Sequence, residues 1–274
     1  MKSIRLLALD LDDTLLRSDL TISYRTRNAI KRTESVGITV VLASARAPAA
    51  LDRFARHLGM HKRPGYIISN NGALIQESGS GKTVHETRIS PEIALVVCDL
   101  ADAEGFPVQL YEDDIMYVSR HNEYTAYDQR ITGLRQVVVE NFRAMVGQGC
   151  FKLHIPGDPQ LLSHLENLLR VYLGNDITLF TTRPYFLEIL PAGTNKGTAL
   201  ARIAQIQGID PEACMAIGDS MNDETMIRWA GFGVAMINGD ERIKSVARLV
   251  TDHSNDDEGV AEIIDTYLLS KETS

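Results

Sequence analysis

Two short segments place acidic residues directly after a run of apolar ones. Ile4–Leu9 leads into Asp10-Leu11-Asp12-Asp13-Thr14, and Met215–Ile217 leads into Gly218-Asp219-Ser220-Met221-Asn222-Asp223. Apolar runs without alternation are typical of buried parallel strands, and open α/β sheets bind ligands at the carboxyl ends of such strands. In extended geometry Asp10 and Asp12 lie on the same side of the chain, one pleat apart. So close a pair predicts either a bound cation or one ionised and one protonated carboxyl group, which is what acid/base chemistry needs.

Asp10, Asp12 and Asp219 together form an oxygen-rich set of candidate metal ligands. Mg²⁺ typically takes one or two carboxylates, water and a substrate phosphate, so this set favours Mg²⁺ over zinc. The simpler alternatives are an acidic turn after the first strand and a capping box formed by Ser220 and Asp223. The capping box does not account for Asp219, which precedes the cap.

Two further residues are candidates for contact with an anion. Lys196 falls in the first turn of a helix predicted to begin at Gly193-Thr194-Asn195, where a cation opposes the helix dipole. An anion held by both the ammonium group and the helix N-terminus would offset that cost. Ser44 follows a predicted buried strand, Ile38–Leu42, and its hydroxyl with an adjacent N–H can hold a phosphoryl oxygen. Chance placement of Lys196, and an N-cap role for Ser44 in the helix at Pro48, are the alternatives.

The order of predicted elements brings these residues together on one sheet. Strands and helices alternate at the start and at the end of the chain, which is typical of a parallel sheet covered on both faces. Between them, strands joined by tight turns predict an antiparallel sheet with its helices on one face. We therefore predict an α/β protein in which residues 1–83 and 190–274 form the core and residues 84–189 form an inserted α+β domain.

Composition limits the possible partners. The chain has 274 residues, 44% of them hydrophobic and 23% charged, which excludes disorder as its main state. A net charge of −8 makes nucleic acid an unlikely partner and requires cations to be concentrated wherever an anionic ligand binds. Neither a membrane span nor a signal peptide is predicted, because the longest apolar runs end early at acidic residues. Three distant cysteines favour a reducing, cytoplasmic location, and the oligomeric state is not predicted.

Taken together, these segments resemble the haloacid dehalogenase-like superfamily of phosphotransferases, and within it the Cof-type (class IIB) hydrolases. The four superfamily motifs occur in order along the whole chain, and further segments resemble the Cof-type group alone. The four motifs are Asp10–Leu15, Ser44, Lys196 and Gly218–Asp223; the further segments are Ser69–Ala73, Phe186–Ile189 before Asn195–Gly197, and Ser254-Asn255 with Gly259-Val260.

The resemblance implies a Rossmann-like core with an inserted α/β cap, and Mg²⁺-dependent hydrolysis of phosphate monoesters. It implies that Asp10 is the nucleophile, forming an aspartyl-phosphate, and that Asp12 is the general acid and base. The metal would rest on the Asp10 carboxylate, the Asp12 backbone carbonyl and Asp219. The phosphoryl group would be held by Leu11, Ser44, Ala45, Lys196 and Asn222, with Asp223 orienting a metal-bound water or Lys196.

This sequence departs from the family pattern in two motifs. Asp13 stands where the family commonly has glycine, and Ser44-Ala45 stands in place of the usual Thr-Gly, with the serine keeping the hydroxyl. Neither change removes a catalytic group, so we expect them to affect rate and selectivity rather than reaction type. The alternatives on the same scaffold are a phosphomutase and, with less support, a phospho-acceptor signalling domain.

The substrate itself is predicted only as a class, a small phosphorylated metabolite. By resemblance, sugar phosphates lead, ahead of pyridoxal and flavin-type phosphates. The cap is expected to cover the site as a lid and to set specificity. Its polar and aromatic candidates are His121, Tyr124, Arg183 and Tyr185.

Overall fold

A computed structural model of the chain describes residues 3–112 and 115–269. It divides into two compact units, one formed by the chain up to His85 and from Asn195 onward, the other by Glu86–Thr194. The predicted boundaries, after residues 83 and 189, fall inside the strands Thr83–Glu86 and Phe186–Pro191. The second strand pairs along its length within the inserted unit. The boundaries therefore lie two and five residues further along the chain than predicted.

Strands and helices alternate through most of the described chain. The strands are β1 (Leu6–Asp10), β2 (Thr39–Ala43), β3 (Gly65–Ser69), β4 (Leu74–Glu77), β5 (Thr83–Glu86), β6 (Gln109–Glu112), β7 (Ile115–Val118), β8 (Arg135–Val138), β9 (Leu153–Pro156), β10 (Ile177–Arg183), β11 (Phe186–Pro191), β12 (Cys214–Gly218), β13 (Phe232–Ala235) and β14 (Leu249–Val250). The helices are α1 (Tyr24–Ser35), α2 (Pro48–Leu58), α3 (Pro91–Ala103), α4 (Glu123–Thr132), α5 (Phe142–Val146), α6 (Pro159–Leu173), α7 (Lys196–Gln207), α8 (Glu224–Trp229), α9 (Glu241–Lys244) and α10 (Gly259–Ile263). None of the helices in the described residues is long and apolar enough to cross a membrane.

The first unit is built on an eight-stranded sheet in the order β14-β13-β12-β1-β2-β3-β4-β5. The strands from β14 to β3 are parallel, and β4 turns back antiparallel to β3. In β1, Leu7 and Leu9 pack into the apolar cluster on one face, while Leu6 and Ala8 pack into the cluster on the other. Because both faces are buried, the strand is apolar without alternation, and the predicted α/β class with a parallel-sheet core is confirmed.

The inserted unit has its own six-stranded sheet, in the order β10-β11-β9-β6-β7-β8. Its neighbouring strands are antiparallel except for β7 and β8, which are parallel. Neither β8 nor α5 is predicted by the sequence pattern. Both are short, and β8 is half-buried to exposed, so neither leaves a clear apolar period in the sequence.

The prediction that the helices of the insert lie on one face of its sheet is wrong for α4. The buried residues of α3, α5 and α6 form the apolar core together with Leu110, Leu153 and Leu187. Because side chains alternate along a strand, the intervening Gln109 and His154 point to the other face. There Gln109 donates to Asp128 of α4. Helix α4 therefore covers the second face through polar contacts, which an apolar pattern cannot reveal.

Candidate active site

Three neighbouring strands bring the candidate residues to one edge of the core sheet. β1 lies between β12 and β2, and all three are parallel, with Asp10 paired to Ala43 and Leu9 to Ile217. The chain leaves β2 at Ser44 and leaves β12 at Asp219. Since carboxyl ends of parallel strands share an edge, Asp10, Ser44 and Asp219 meet there by topology alone.

Lys196 reaches this edge from the first residue of α7. Asn195 is the N-cap of α7, and its side chain forms a capping box with Thr198. Gly72 lies against this start: a Cβ at that position would come within 2.4 Å of the Asn195 carbonyl oxygen, and its φ of +109° also favours glycine. The Lys196 side chain is fully buried. Its Nζ donates to Asp10 Oδ1 at 2.5 Å and to Asp223 Oδ1 at 2.6 Å.

Asp223 connects the ammonium group to the loop after β12. Its second oxygen, Oδ2, accepts from the backbone N–H groups of Asp219 and Ser220, each at 3.0 Å. The Asp223 carboxylate can lie this close to the backbone because residue 218 is glycine. A Cβ at that position would lie 2.5 Å from the Asp223 carboxyl carbon. Ser220 and Asp223 do form the capping box considered as an alternative. The same carboxylate also binds Lys196, so the structural and the ionic contacts coexist.

The cluster carries more negative than positive charge, and the pKa values respond accordingly. Burial, and then the charge of Asp223, raise the pKa of Asp10 well above its usual range despite the nearby ammonium group. The same two causes raise the pKa of Asp219 to about 7. Burial alone lowers the pKa of Lys196, but Asp10 and Asp223 outweigh it, so that pKa is raised. The ammonium group therefore stays charged, and the surplus negative charge lies on the carboxylates.

The donor set fits a small divalent cation. In the described residues, one ligand oxygen each from Asp10, Asp219 and Asp223 can be chosen so that all lie within 4.8 Å of one another. Both oxygens of Asp223 already accept hydrogen bonds, which leaves Asp10 and Asp219 as the candidate side-chain ligands. Thr14 Oγ1 donates to Asp219 Oδ1 at 2.8 Å and fixes that carboxylate. An all-oxygen set with surplus negative charge suits Mg²⁺.

The pleat predicted to carry Asp10 and Asp12 on one side does not continue to Asp12. β1 ends at Asp10, a helical turn over Leu11–Leu15 follows, and Asp13 within it has a φ of +56°. The carboxylate of Asp12 pairs with Arg46, whose Nε and Nη2 donate at 2.8 and 2.5 Å to its two oxygens. Asp10 and Asp12 are thus each compensated by a separate cation, Lys196 and Arg46. The metal ligand that the resemblance implies at Asp12 is its backbone carbonyl, which the ion pair with Arg46 does not involve.

The predicted phosphate-binding residues lie on the loops around this edge. Ser44 is buried, and its Oγ accepts from the Arg46 N–H at 3.1 Å. It is not the N-cap of α2, because Ala47 occupies that position. Leu11 is buried directly after Asp10. Ala45 is not among the residues with positive φ in the described chain, so its Cβ needs no left-handed backbone.

Asn222 is held in place by residues outside the predicted motifs. Its Nδ2 donates to Asn71 Oδ1 at 3.2 Å, and its Oδ1 accepts from Ser220 Oγ at 2.6 Å. Asn71 is buried in a left-handed conformation after β3. Asn71, Thr14 and Arg46 are not among the predicted site residues. Asn71 and Thr14 lie within segments that carry the resemblance and Arg46 lies two residues after Ser44, but only the fold shows which side chain each contacts.

The fold and the site define an α/β protein in which buried carboxylates, a buried lysine and a buried serine lie at the carboxyl ends of parallel strands. Residues 7–264 match the model of a family described as haloacid dehalogenase-like hydrolase. The chain belongs to this family and is an enzyme of its hydrolase class, as the four motifs predicted.

Relatives and solved structures match almost the whole chain. HMP-PP phosphatase from Enterobacter sp. strain 638 is 30% identical over 85% of this chain and 84% of its own. The 5-amino-6-(5-phospho-D-ribitylamino)uracil phosphatase YwtE from Bacillus subtilis is 28% identical over 97% of this chain and 98% of its own. A crystal structure of a haloacid dehalogenase-like hydrolase from Bacteroides thetaiotaomicron has a TM-score of 0.87 and 32% identity, covering 96% of this chain and 99% of that one.

Proposed function

We propose that this protein is a Mg²⁺-dependent phosphatase that hydrolyses small phosphorylated metabolites through an aspartyl-phosphate. The observation that carries the proposal is the ion pair between Asp10 and the fully buried Lys196, at the end of the central strand. Burying an ammonium group is costly unless it compensates negative charge. Here it lies where both a nucleophilic carboxylate and an incoming phosphate would need it.

In the first step a carboxylate oxygen of Asp10 attacks phosphorus, and the ester P–O bond breaks. The leaving alkoxide takes a proton from Asp12. In the second step a water oxygen attacks phosphorus, the bond to Asp10 breaks and returns its electron pair to that carboxylate, and the water proton passes to Asp12. The sum is ester plus water giving alcohol plus phosphate.

The remaining residues bind and orient the phosphoryl group. Its oxygens would be contacted by Lys196, the Ser44 hydroxyl, the backbone N–H groups of Leu11 and Ala45, and Asn222. Asp223 holds Lys196 in position. Asp10, Asp219 and the Asp12 carbonyl would hold Mg²⁺. When bound, Mg²⁺ would neutralise charge on the transferring phosphoryl group.

Among small phosphorylated metabolites, sugar phosphates are proposed as the preferred substrates. One relative is named for a phosphorylated ribityl compound and another for HMP-PP, so both names specify small phosphorylated metabolites. A screen of phosphorylated metabolites for kcat/KM would test the preference.

Steady release of inorganic phosphate from p-nitrophenyl phosphate with Mg²⁺ tests the reaction type. Asp10→Asn should abolish turnover, because a carboxamide is a poor nucleophile, while the exposed Asp52→Asn serves as the control. Appreciable activity in Asp10→Asn would contradict the role of Asp10. Labelling that stops at one phosphate per chain would favour a phospho-acceptor domain, and transfer to a sugar instead of water would favour a phosphomutase.

A further inference from the structure

Arg46 forms a two-point contact with the proposed general acid. Its Nε and Nη2 bind both oxygens of the Asp12 carboxylate, a fork geometry that fixes the plane of the carboxyl group. Lysine could supply the charge but not the fork. We propose that Arg46 is a positioning residue that orients Asp12 for proton transfer; this inference rests on the proposed function.

The backbone and side chain of Arg46 are themselves held. Its N–H donates to Ser44 Oγ, and its carbonyl accepts from the Asn70 N–H at 2.9 Å. Its guanidinium carbon lies 5.8 Å from the centre of the Phe54 ring. The arginine is therefore anchored to the loop after β2 and to α2, whereas Asp12 lies in the turn after β1. The pair ties the acid to a second, independent part of the core.

Stability alone does not explain the pair. The side chain of Asp12 is 44% exposed and that of Arg46 is 26% exposed, so water screens their attraction and it adds little to folding. The pair does fix the orientation of Asp12, because a half-exposed carboxylate on a turn would otherwise sample several rotamers. The fork uses one lone pair on each oxygen, and a carboxylate has about four such sites. The remaining ones stay available to carry a proton to the leaving group or to accept one from water.

The test separates proton transfer from phosphate binding by the leaving group. p-Nitrophenolate leaves readily without a proton, whereas the alkoxide of an alkyl phosphate such as glycerol 3-phosphate needs one. Because kcat/KM reports the steps through phosphoenzyme formation, we expect Arg46→Gln to lower it about 100-fold for the alkyl phosphate, the scale of general acid catalysis. For p-nitrophenyl phosphate we expect a loss of less than about 5-fold, well below that scale. Arg46→Lys should give the same pattern, since it restores charge without the fork.

Arg53→Gln is the matched control. Arg53 is exposed, and its guanidinium carbon lies 4.4 Å from the centre of the same Phe54 ring. Its loss should leave both substrates unaffected. Equal losses for the two substrates in Arg46→Gln would mean that Arg46 binds phosphate or only supports the fold, and would overturn the inference. So would unchanged rates for both.

A double-mutant cycle distinguishes this failure from failure of the proposed function. Asp12→Asn should show the same preference for the aryl substrate, and adding Arg46→Gln to it should cost nothing further, because the residue to be positioned is gone. If Asp12→Asn shows no leaving-group preference, the acid assignment of the proposed function is wrong. If it does show the preference but Arg46→Gln does not, only the positioning role is wrong.

Discussion

Each unit of the protein contains a cluster of buried charged and polar residues, and the two clusters differ in how their charges are compensated. The core cluster consists of Asp10, Lys196, Asp219 and Asp223, with one ammonium group among three carboxylates. The insert cluster consists of Gln109, Tyr111, Asp128, Lys152, His154 and Glu188.

In the insert cluster the acids have matching donors. Lys152 Nζ donates to Glu188 Oε2 at 3.1 Å, and Asp128 Oδ2 accepts from Gln109 at 2.7 Å and from the Tyr111 hydroxyl. Burial would raise the pKa of Asp128, but these bonds and His154 outweigh it, so that pKa is lowered. In the core cluster the balance is opposite, and the pKa values of Asp10 and Asp219 are raised. Burial of charge is therefore common to both units, whereas an uncompensated anionic surplus is found only in the cluster proposed to bind a cation.

The largest expected effect is that of removing the ammonium group from each cluster. Lys196→Met leaves Asp10 and Asp223 buried without a cation, which should cost about 3–5 kcal/mol of unfolding free energy and abolish activity. Lys152→Met removes the ion pair with Glu188 from a cluster whose other acid, Asp128, keeps its donors, and should cost less. Urea unfolding of both variants beside the wild type measures the difference. An equal or larger loss in Lys152→Met would remove the contrast between the clusters.

Neutralising one acid should change the free energy of unfolding in opposite directions in the two clusters. Asp219→Asn relieves anionic repulsion while keeping an oxygen for Thr14, and should stabilise the metal-free protein at pH 8 by about 1–3 kcal/mol. Asp128→Asn puts an amide among donors and should destabilise it by about 1–3 kcal/mol. Denaturant unfolding in EDTA measures both. A shared sign would contradict the comparison.

The pH dependence of that gain follows from the raised pKa of Asp219. The folded protein binds this proton up to about pH 7, whereas the unfolded chain releases it near the ordinary value of 3.8. The stabilising contribution of the proton is therefore fully present below pH 3.8 and is lost as the pH rises through about 7. The advantage of Asp219→Asn should accordingly shrink between pH 8 and pH 5. An advantage that is the same at both pH values would exclude this origin.

The sequence could predict the strands that deliver the site because buried parallel strands leave continuous apolar runs, as before Asp10 and Asp219. It could also predict Lys196 at the start of α7, since Asn195 is a preferred capping residue. It could not predict the partner of Asp12, because the turn at Asp13 and the approach of Arg46 depend on three-dimensional packing. The position of α4 on the second face of the insert sheet could not be predicted for a similar reason. The buried Asp128 is compensated by residues distant in the chain, which leave no periodic signal.

A further expected effect, which links the core cluster to its proposed ion, is stabilisation by Mg²⁺. At a hundredfold excess over its Kd, a ligand that binds only the folded state adds about 2.7 kcal/mol, which for a chain of this size raises Tm by several degrees. Protons compete for Asp219, whose pKa is about 7, so the rise in Tm should be larger at pH 8 than at pH 5.5. Thermal unfolding with and without Mg²⁺ measures it. The rise in Tm should be lost in Asp219→Asn and kept in the Asp52→Asn control, because only the first substitution removes a proposed ligand. A rise in Tm that survives in Asp219→Asn would place the ion elsewhere.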